Sequence, residues 1–586
     1  MNNVEQQENL PTSAAAAAPS NKAVQLSEEA GVEFEVGERL KVNQVGYGVV
    51  DKKIGLVEGI LPDAAAFTLV DVKSGKTVFT GSISSPIADE ASQQIIRRAD
   101  FSVFQTAGEY QLAAEGAGSS YPFRLSANPY EEALAVMLRS YTLQRSNADI
   151  RDPVTGLKLK AGHSQDAKAE LFFEDGVSRK GDVIDVSGGW YDAGDFGKYI
   201  PPAAVTVGQL LLAYDMNPAA FPIGQLKLPE ELRPQRQGKL MPDILVEVKY
   251  ELDWMLRMQR MDGAVYHKVG GALWPGFVTP DCDAQTRYVY GLSTYGTAQF
   301  AAATALAARI YMPHDEKFAA QLLNAAEKAQ SWLTKNQSAF FRQDPGQNNG
   351  SGPYDKATDE EERMWALAEL HRTTGKASYN ELLTKQYSDL MAGPPKPVNW
   401  GNAQLLGQWA YFSSENTDEQ WKERIRAAVT NRAEELVRQA EADGYLNTLS
   451  LTEYTWASVK AGAAYGCMLL IADRMQPDEN YVDIAREQLH HVFGRSATGY
   501  SYVTGIGSRF PVAPHHRTNA ATGVTIPGLV VGGPNRYGGD PDLDAVKEGL
   551  APAKAYLDVR GSFSSNEYAI DYNAPVVMLT SFFVNG

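Results

Sequence analysis

The sequence predicts a small all-β sandwich over residues 38–127 followed by one large all-α helical barrel over 128–586. Three observations predict it. A chain of 586 residues is too long for one ordinary core. Over 38–127, short apolar runs alternate with turn signals roughly every ten residues, the rhythm of a sandwich. After Asn128-Pro129 the pattern changes to a dozen or so helical segments, many Ala-rich, separated by long loops that hold the Gly, Pro, Trp and His residues.

Residues 1–37 read as a flexible tail, because MNNVEQQENLPTSAAAAAPSNKAVQ is rich in Ala, Ser, Pro, Glu and Gln. It lacks the basic start and long apolar core of an intact signal peptide. A cytoplasmic protein and the mature part of an exported one both fit, and the extracellular history is favoured. The strands follow in order: Arg39 to Val45, Ala66 to Val72, Lys76 to Thr80 after the Gly75 turn, Ala99 to Phe104 and Gly108 to Ala113. No aromatic strip marks the sandwich as a sugar binder, so it is expected to pack on the barrel as a stabiliser. Helices are predicted over 130–144, 203–215, 242–260, 292–311, 315–335, 359–375, 378–391, 402–413, 417–442, 454–474 and 478–493. In 242–260, Ile244, Leu245, Val248, Leu252, Met255 and Leu256 share one face, and Pro242 suits the first turn.

Composition excludes several partners. The formal net charge of -17 argues against nucleic acid and anionic membrane. A neutral sugar polymer would not be repelled. No stretch of about 18 apolar residues occurs, so no membrane span is expected. Only Cys282 and Cys467 are present, which leaves one disulfide or two buried free thiols, the second favoured, and no evident zinc cluster.

Four constellations could carry chemistry. In GGWYDAGDFGKY (188–199), Asp192 and Asp195 sit three apart among four glycines and beside Trp190 and Tyr191. That pattern fits a helix N-cap, a calcium loop, or a tight turn that aims two acids at one ligand. In GSFSSNEYAIDYNAP (561–575), Glu567 lies among tyrosines and apolar residues. It is either a surface glutamate or a desolvated carboxyl with the raised pKa of a general acid. PVAPHHRTN (511–519) brings His515, His516 and Arg517 together, as a metal pair or as a cluster for sugar hydroxyls. Trp274, Trp365, Trp400, Tyr454 and Trp456 are either core or stacking platforms for sugar rings.

Taken together, these stretches resemble glycoside hydrolase family 9, the inverting cellulases. DVSGGWYDAGDFGKY (185–199) is similar to the family's aspartate motif, PHHR (514–517) to its histidine motif and SNEYAIDYNAP (565–575) to its glutamate motif, in the family's order. Supporting similarities are DILVEVKYELDWMLRMQ (243–259), VYHKV (265–269), STYGTAQFAAA (293–303) and YSYVTGIG (500–507). RLKVNQVGYG (39–48) resembles the start of the immunoglobulin-like module that precedes the catalytic domain in one branch. The resemblance implies an (α/α)6 barrel over 128–586. It implies Asp195 as general base, Asp192 as the group that holds the attacking water, and Glu567 as general acid. It also implies sugar contacts from His516, Arg517 and His515, a stacking Trp456, Tyr572 near the water or Glu567, and His267 along the cleft.

No cofactor is required by that chemistry. The branch often carries a zinc ion on two cysteines and two histidines. Here Ser146, Gly162 and Tyr191 stand where three of those ligands are expected and only His163 is retained, so zinc is not expected. GSGPYDKATDEEERMW (350–365) resembles a calcium loop with Glu361 and Glu362 as candidate ligands, and equally reads as a solvated acidic helix start. The function expected is an endo-β-1,4-glucanase acting as a monomer on cellulose-type or mixed-linkage β-glucan. The alternatives are an exo-acting β-glycosidase that releases glucose, cellobiose or glucosamine, and a noncatalytic glucan-binding protein.

Overall fold

The computed structural model describes residues 37–61, 65–228, 235–236, 239–341 and 350–585. The tail read over 1–37 therefore lies, but for Gly37, outside the described residues. Two sheets form the sandwich. One runs Leu40–Lys41, Ile54–Glu58, Gln94–Asp100, Ile87–Asp89; the other runs Tyr47–Gly48, Phe123–Ser126, Gly108–Ala114, Ala66–Asp71, Thr77–Ser82. Tyr47, Val57, Phe67, Leu69, Leu112 and Phe123 fill the space between them. Period-two alternation sends the opposite face of the first sheet elsewhere. Ile54, Leu56 and Ile96 belong to the barrel's core, not to the sandwich's own.

The barrel is an (α/α)6 arrangement. Six helices are buried over most of their length: Ile200–Met216, Thr294–Tyr311, Glu360–Thr374, Gln404–Phe412, Ser458–Met475 and Ile570–Phe582. The other six, Glu131–Leu143, Asp243–Arg257, Glu316–Lys335, Ala377–Gln386, Glu419–Ala442 and Glu479–Val492, alternate with them along the chain. Their sequences explain the layers. Thr294–Tyr311 reads TYGTAQFAAATALAARIY, apolar and small all round, which suits a helix enclosed by neighbours. Glu316–Lys335 carries one apolar face and a charged one. Among the described residues no helix is long and apolar enough to cross a membrane.

Several elements differ from the sequence expectation. The segment 378–391 is broken at Tyr387 into Ala377–Gln386 and Ser388–Met391. The helix expected over 454–474 starts at Ser458, after a short turn closed by the Ser450–Glu453 capping box. Ile570–Phe582 has no single apolar stripe and contains Pro575, so periodicity does not announce it. A five-stranded sheet, ordered Val183–Ile184, Ala169–Leu171, Tyr288–Leu292, Tyr266–Gly270, Lys198–Tyr199, is built into the long loops at the barrel mouth. Both cysteines are free, but Cys282 is exposed and only Cys467 is buried.

The sandwich is fastened to the barrel by polar as well as apolar groups. Asn43 Nδ2 meets His490 Nδ1 at 2.9 Å, and Gln44 Nε2 donates to the Gly499 carbonyl at 2.9 Å. Arg495, fully buried beside Glu487, donates to the Ile54 carbonyl at 3.2 Å. Leu56→Ala should therefore behave as a barrel-core mutation, lowering stability by about 2–5 kcal/mol. Thermal unfolding should show one transition moved down as a whole; a separate early transition for the sandwich would contradict the shared core.

Candidate active site

The turn at 188–199 is shaped by its glycines and held from behind. Gly189 adopts a left-handed φ of 79°, and a Cβ there would stand 2.7 Å from the Trp254 ring. Lys198 Nζ donates to the Val186 and Gly188 carbonyls at 2.8 and 2.7 Å. Arg287 donates to the Phe196 carbonyl at 2.8 Å. Both cations meet Asp166, at 2.7 Å from Lys198 and 2.8 Å from Arg287. Burial works against ionising Asp166, yet Arg287 and Lys198 outweigh it and hold its carboxyl down at about 2. Trp190 adds a bond from its indole N–H to Glu247 at 2.8 Å.

Glu567 reaches the same place from the C-terminal stretch. Residues 193 and 569 pair antiparallel, and the Ile570 N–H donates to the Asp192 carbonyl at 2.7 Å. The strand with Glu567 also pairs with His515. Gly194 makes the approach possible: a Cβ on it would fall 2.1 Å from the His515 carbonyl oxygen and 3.2 Å from Glu567 Oε1. The acids face one cleft of about 770 Å³. Trp274, Tyr354, Trp400, Trp456 and Phe563 supply its aromatic walls, and Trp274 and Trp456 are 48% and 43% exposed. A second cavity of about 680 Å³, beside Asp359, Arg363 and Tyr387, contains none of these acids.

The acids differ in their surroundings. Asp195 Oδ2 accepts the Tyr199 hydroxyl at 3.0 Å, and Asp192 Oδ2 accepts the Tyr354 hydroxyl at 2.6 Å. Burial, then the neighbouring Asp195 and Asp571, push Asp192 well above the usual carboxylate range. Burial among its neighbours and the Asp195 charge push Glu567 up to about 8, against the opposing pull of Arg517 and the Gly194 N–H. Although Glu567 is only half-buried by surface area, its carboxyl lies in a crowded cleft where little water solvates it.

The residues singled out in the sequence separate into two groups. Asp192, Asp195, His515, Arg517, Glu567, Tyr572 and Trp456 all line the cleft. Arg517 is fixed by bonds to the Gly194 and Pro275 carbonyls at 3.1 and 2.9 Å. The His515 Nδ1–H donates to the Arg560 carbonyl at 2.8 Å. His516 and His267 lie behind the wall. His516 Nε2 meets Gln144 Oε1 at 3.0 Å, and His267 bridges Ser293 Oγ at 2.8 Å and the Pro353 carbonyl at 2.9 Å. Burial holds both imidazoles down at about 3, and neither lines the cleft. Tyr199, Tyr354, Lys460 and Asp571 were not legible as site residues. Lys460 and Asp571 pair at 2.9 Å, with the ammonium 4.8 Å from the Tyr572 ring centroid.

At both places where the resemblance raised a metal, the side chains are engaged with other protein groups. Where zinc ligands would stand, the Tyr191 hydroxyl meets His163 Nδ1 at 2.6 Å and Asp283 meets its Nε2 at 3.1 Å. A Cβ at Gly162 would lie 2.3 Å from Pro280 Cβ. Glu361 and Glu362 lie outside the cleft and face the Lys356 ammonium. Among the described residues, no three His, Cys, Asp or Glu side chains gather as a ligand set.

The description Glycosyl hydrolase family 9 matches residues 130–580. The chain belongs to glycosyl hydrolase family 9. Residues 35–119 match the cellulase N-terminal ig-like domain. Endoglucanase D of Acetivibrio thermocellus is 30% identical over 558 residues, covering 94% of this chain and 84% of that one. A xyloglucan-specific endo-β-1,4-glucanase of Bacteroides ovatus is 30% identical over 566 residues, covering 92% and 93%. The crystal structure of the family 9 endoglucanase J30 superposes with a TM-score of 0.89 at 48% identity, covering 92% of this chain and 100% of that chain. This family 9 member is thus a glycoside hydrolase with an immunoglobulin-like module before its barrel.

The raised Glu567 carboxyl is expected to set an alkaline pH limb. The carboxyl keeps its proton below about 8 and loses it above, so hydrolysis that needs the proton should fall as pH rises through that value. Arg517→Ala removes a charge that pulls the carboxyl down, and the alkaline limb of kcat/KM should move to higher pH. An unmoved limb would assign it to another group.

Proposed function

We propose that the chain is an endo-β-1,4-glucanase that cleaves cellulose-type and mixed-linkage β-glucans with inversion. The observation that carries this is the cleft itself: a turn with two acids and an opposed Glu567 share an aromatic trough whose Trp274 and Trp456 remain exposed. Flat rings can stack on successive sugars, and exposed platforms suit a polymer that extends beyond the reacting bond. The names of the two bacterial relatives and of J30 support the endo mode.

The roles follow from the electrostatics. Two adjacent carboxyls do not both ionise cheaply. Asp192 is the one pushed upward, by burial and by Asp195, and Asp195 is the base that takes a proton from water as the water oxygen attacks the anomeric carbon. Asp192, tied to Tyr354, orients that water. The glycosidic C–O bond breaks as Glu567 delivers its proton to the leaving oxygen. Solvent then returns the proton from Asp195 to Glu567. Arg517 and His515, fixed by main-chain carbonyls, are placed to bind sugar hydroxyls beside the reacting bond. The chemistry uses no metal or organic cofactor.

The test follows viscosity and reducing ends together on carboxymethyl-cellulose and barley β-glucan. The wild type should lose viscosity well ahead of full reducing-end release, with the α-anomer formed first by NMR. Glu567→Gln should lower kcat by about 10²–10⁴-fold. Slow viscosity loss with steady small-sugar release would favour an exo mode, and equal activity in both proteins would remove Glu567 as the acid.

A further inference from the structure

The segment Ser351–Lys356 reaches both cleft aspartates, Asp192 directly and Asp195 through Tyr199. The Gly352 N–H donates to the Tyr199 hydroxyl at 2.9 Å, and that hydroxyl donates to Asp195 at 3.0 Å. Two residues later the Tyr354 hydroxyl donates to Asp192 at 2.6 Å. The segment is held by its carbonyls: His267 on Pro353, Lys268 on Gly352 at 2.8 Å, and the Tyr295 hydroxyl on Tyr354 at 3.0 Å. Tyr354 itself adopts a left-handed φ of 45°. A residue with a Cβ pays for that conformation with about 1–3 kcal/mol, so neighbours must enforce it.

Lys356 closes the segment. Its Nζ lies 2.7 and 2.9 Å from the two oxygens of Glu362, 3.4 Å from Glu361 Oε2 and 2.7 Å from the Gly401 carbonyl. Glu361 and Glu362 belong to the first turn of the inner helix Glu360–Thr374. Gly401 follows Trp400, whose ring meets Tyr354 edge-on at 5.1 Å and lines the cleft. The ammonium thus joins the start of a barrel helix, the turn with a cleft platform and the strained segment that holds both aspartates.

We propose that the Lys356 ammonium is the resident cation of this junction, standing where a calcium ion would otherwise neutralise Glu361 and Glu362, and that it positions Tyr354 on Asp192 and, through the Gly352 N–H, Tyr199 on Asp195. Four oxygens already converge on Nζ, and a divalent ion could enter only if the lysine left. The cation here is covalent to the segment it fixes, so it is neither diluted nor chelated away. Lys356 is a positioning residue that acts through two tyrosines. This second role rests on the assignment of Asp192 and Asp195 as the water-holding pair.

The experiment compares the full-length wild type, Lys356→Gln and Lys356→Arg, each in EDTA and in millimolar calcium. Melting temperature, kcat and KM are read on soluble β-glucan. The wild type should give the same melting temperature and kcat in both buffers. Lys356→Gln should lose about ten- to a hundred-fold in kcat with KM held within about two-fold, as expected when geometry and not binding is lost. The alkaline limb expected from Glu567 should stay at its wild-type position. Calcium should raise both its melting temperature and its kcat, and Lys356→Arg should keep most of the wild-type kcat. A wild type that is destabilised by EDTA and restored by calcium would overturn the resident-cation assignment. A Lys356→Gln enzyme with wild-type kcat would overturn the positioning role. If Lys356→Gln does not fold, the wild-type calcium comparison and the Lys356→Arg kcat still decide. A wild type that hydrolyses no β-glucan would count against the glucanase function and leave the calcium comparison standing.

Discussion

Asp166 is a wholly buried carboxylate between two buried cations, and the direction of the cleft acids depends on it. Lys198 and Arg287 each use one hand for Asp166 and the other for carbonyls of the 186–196 turn. The three charges are favourable only together, because removing one partner of a buried pair leaves an uncompensated charge worth about 3–5 kcal/mol. The turn therefore has one arrangement available to it. Glycines let the backbone follow that arrangement, and Gly194 lets the strand of Glu567 close against it.

From this frame the site divides its labour by environment. Burial, then Asp195 and Asp571, pushes Asp192 well above the usual carboxylate range, while burial and Asp195 push Glu567 up to about 8 against the pull of Arg517 and the Gly194 N–H. In the mechanism proposed, the same side-chain chemistry serves as water holder, base and acid. Two tyrosine hydroxyls connect these carboxyls to a strained segment across the cleft. The histidines of the family motifs are less uniform in role than their adjacency suggests. His515 faces the cleft, while His516 caps the short helix Arg517–Thr522 from behind the wall.

What could be read from the sequence was what is local. Asp192 and Asp195 share one turn, Glu567 stands in a dense aromatic stretch, and both announce themselves without knowledge of the fold. Helices with one apolar face, such as Asp243–Arg257, are equally plain. Tyr354 and Lys460 are different. Each becomes a site residue only through packing across more than 100 positions of chain, to Asp192 and Asp571 respectively, and no spacing rule encodes that. Ile570–Phe582 escapes because enclosure on all sides removes the stripe that periodicity needs. Lys356 reads as one more charge in a charged run until Glu362 and Gly401 are seen around it.

The shared core has a consequence in time. The sandwich leaves the ribosome first, with Ile54, Leu56 and Ile96 on a face that its own core does not cover. Arg495, which bonds the Ile54 carbonyl on this strand, follows 441 positions later. At translation speeds of about 5–20 residues per second, that interval is roughly 20–90 seconds. For that period the nascent chain displays a sticky sheet with no partner, and its fate is set by how quickly the last third of the barrel is made.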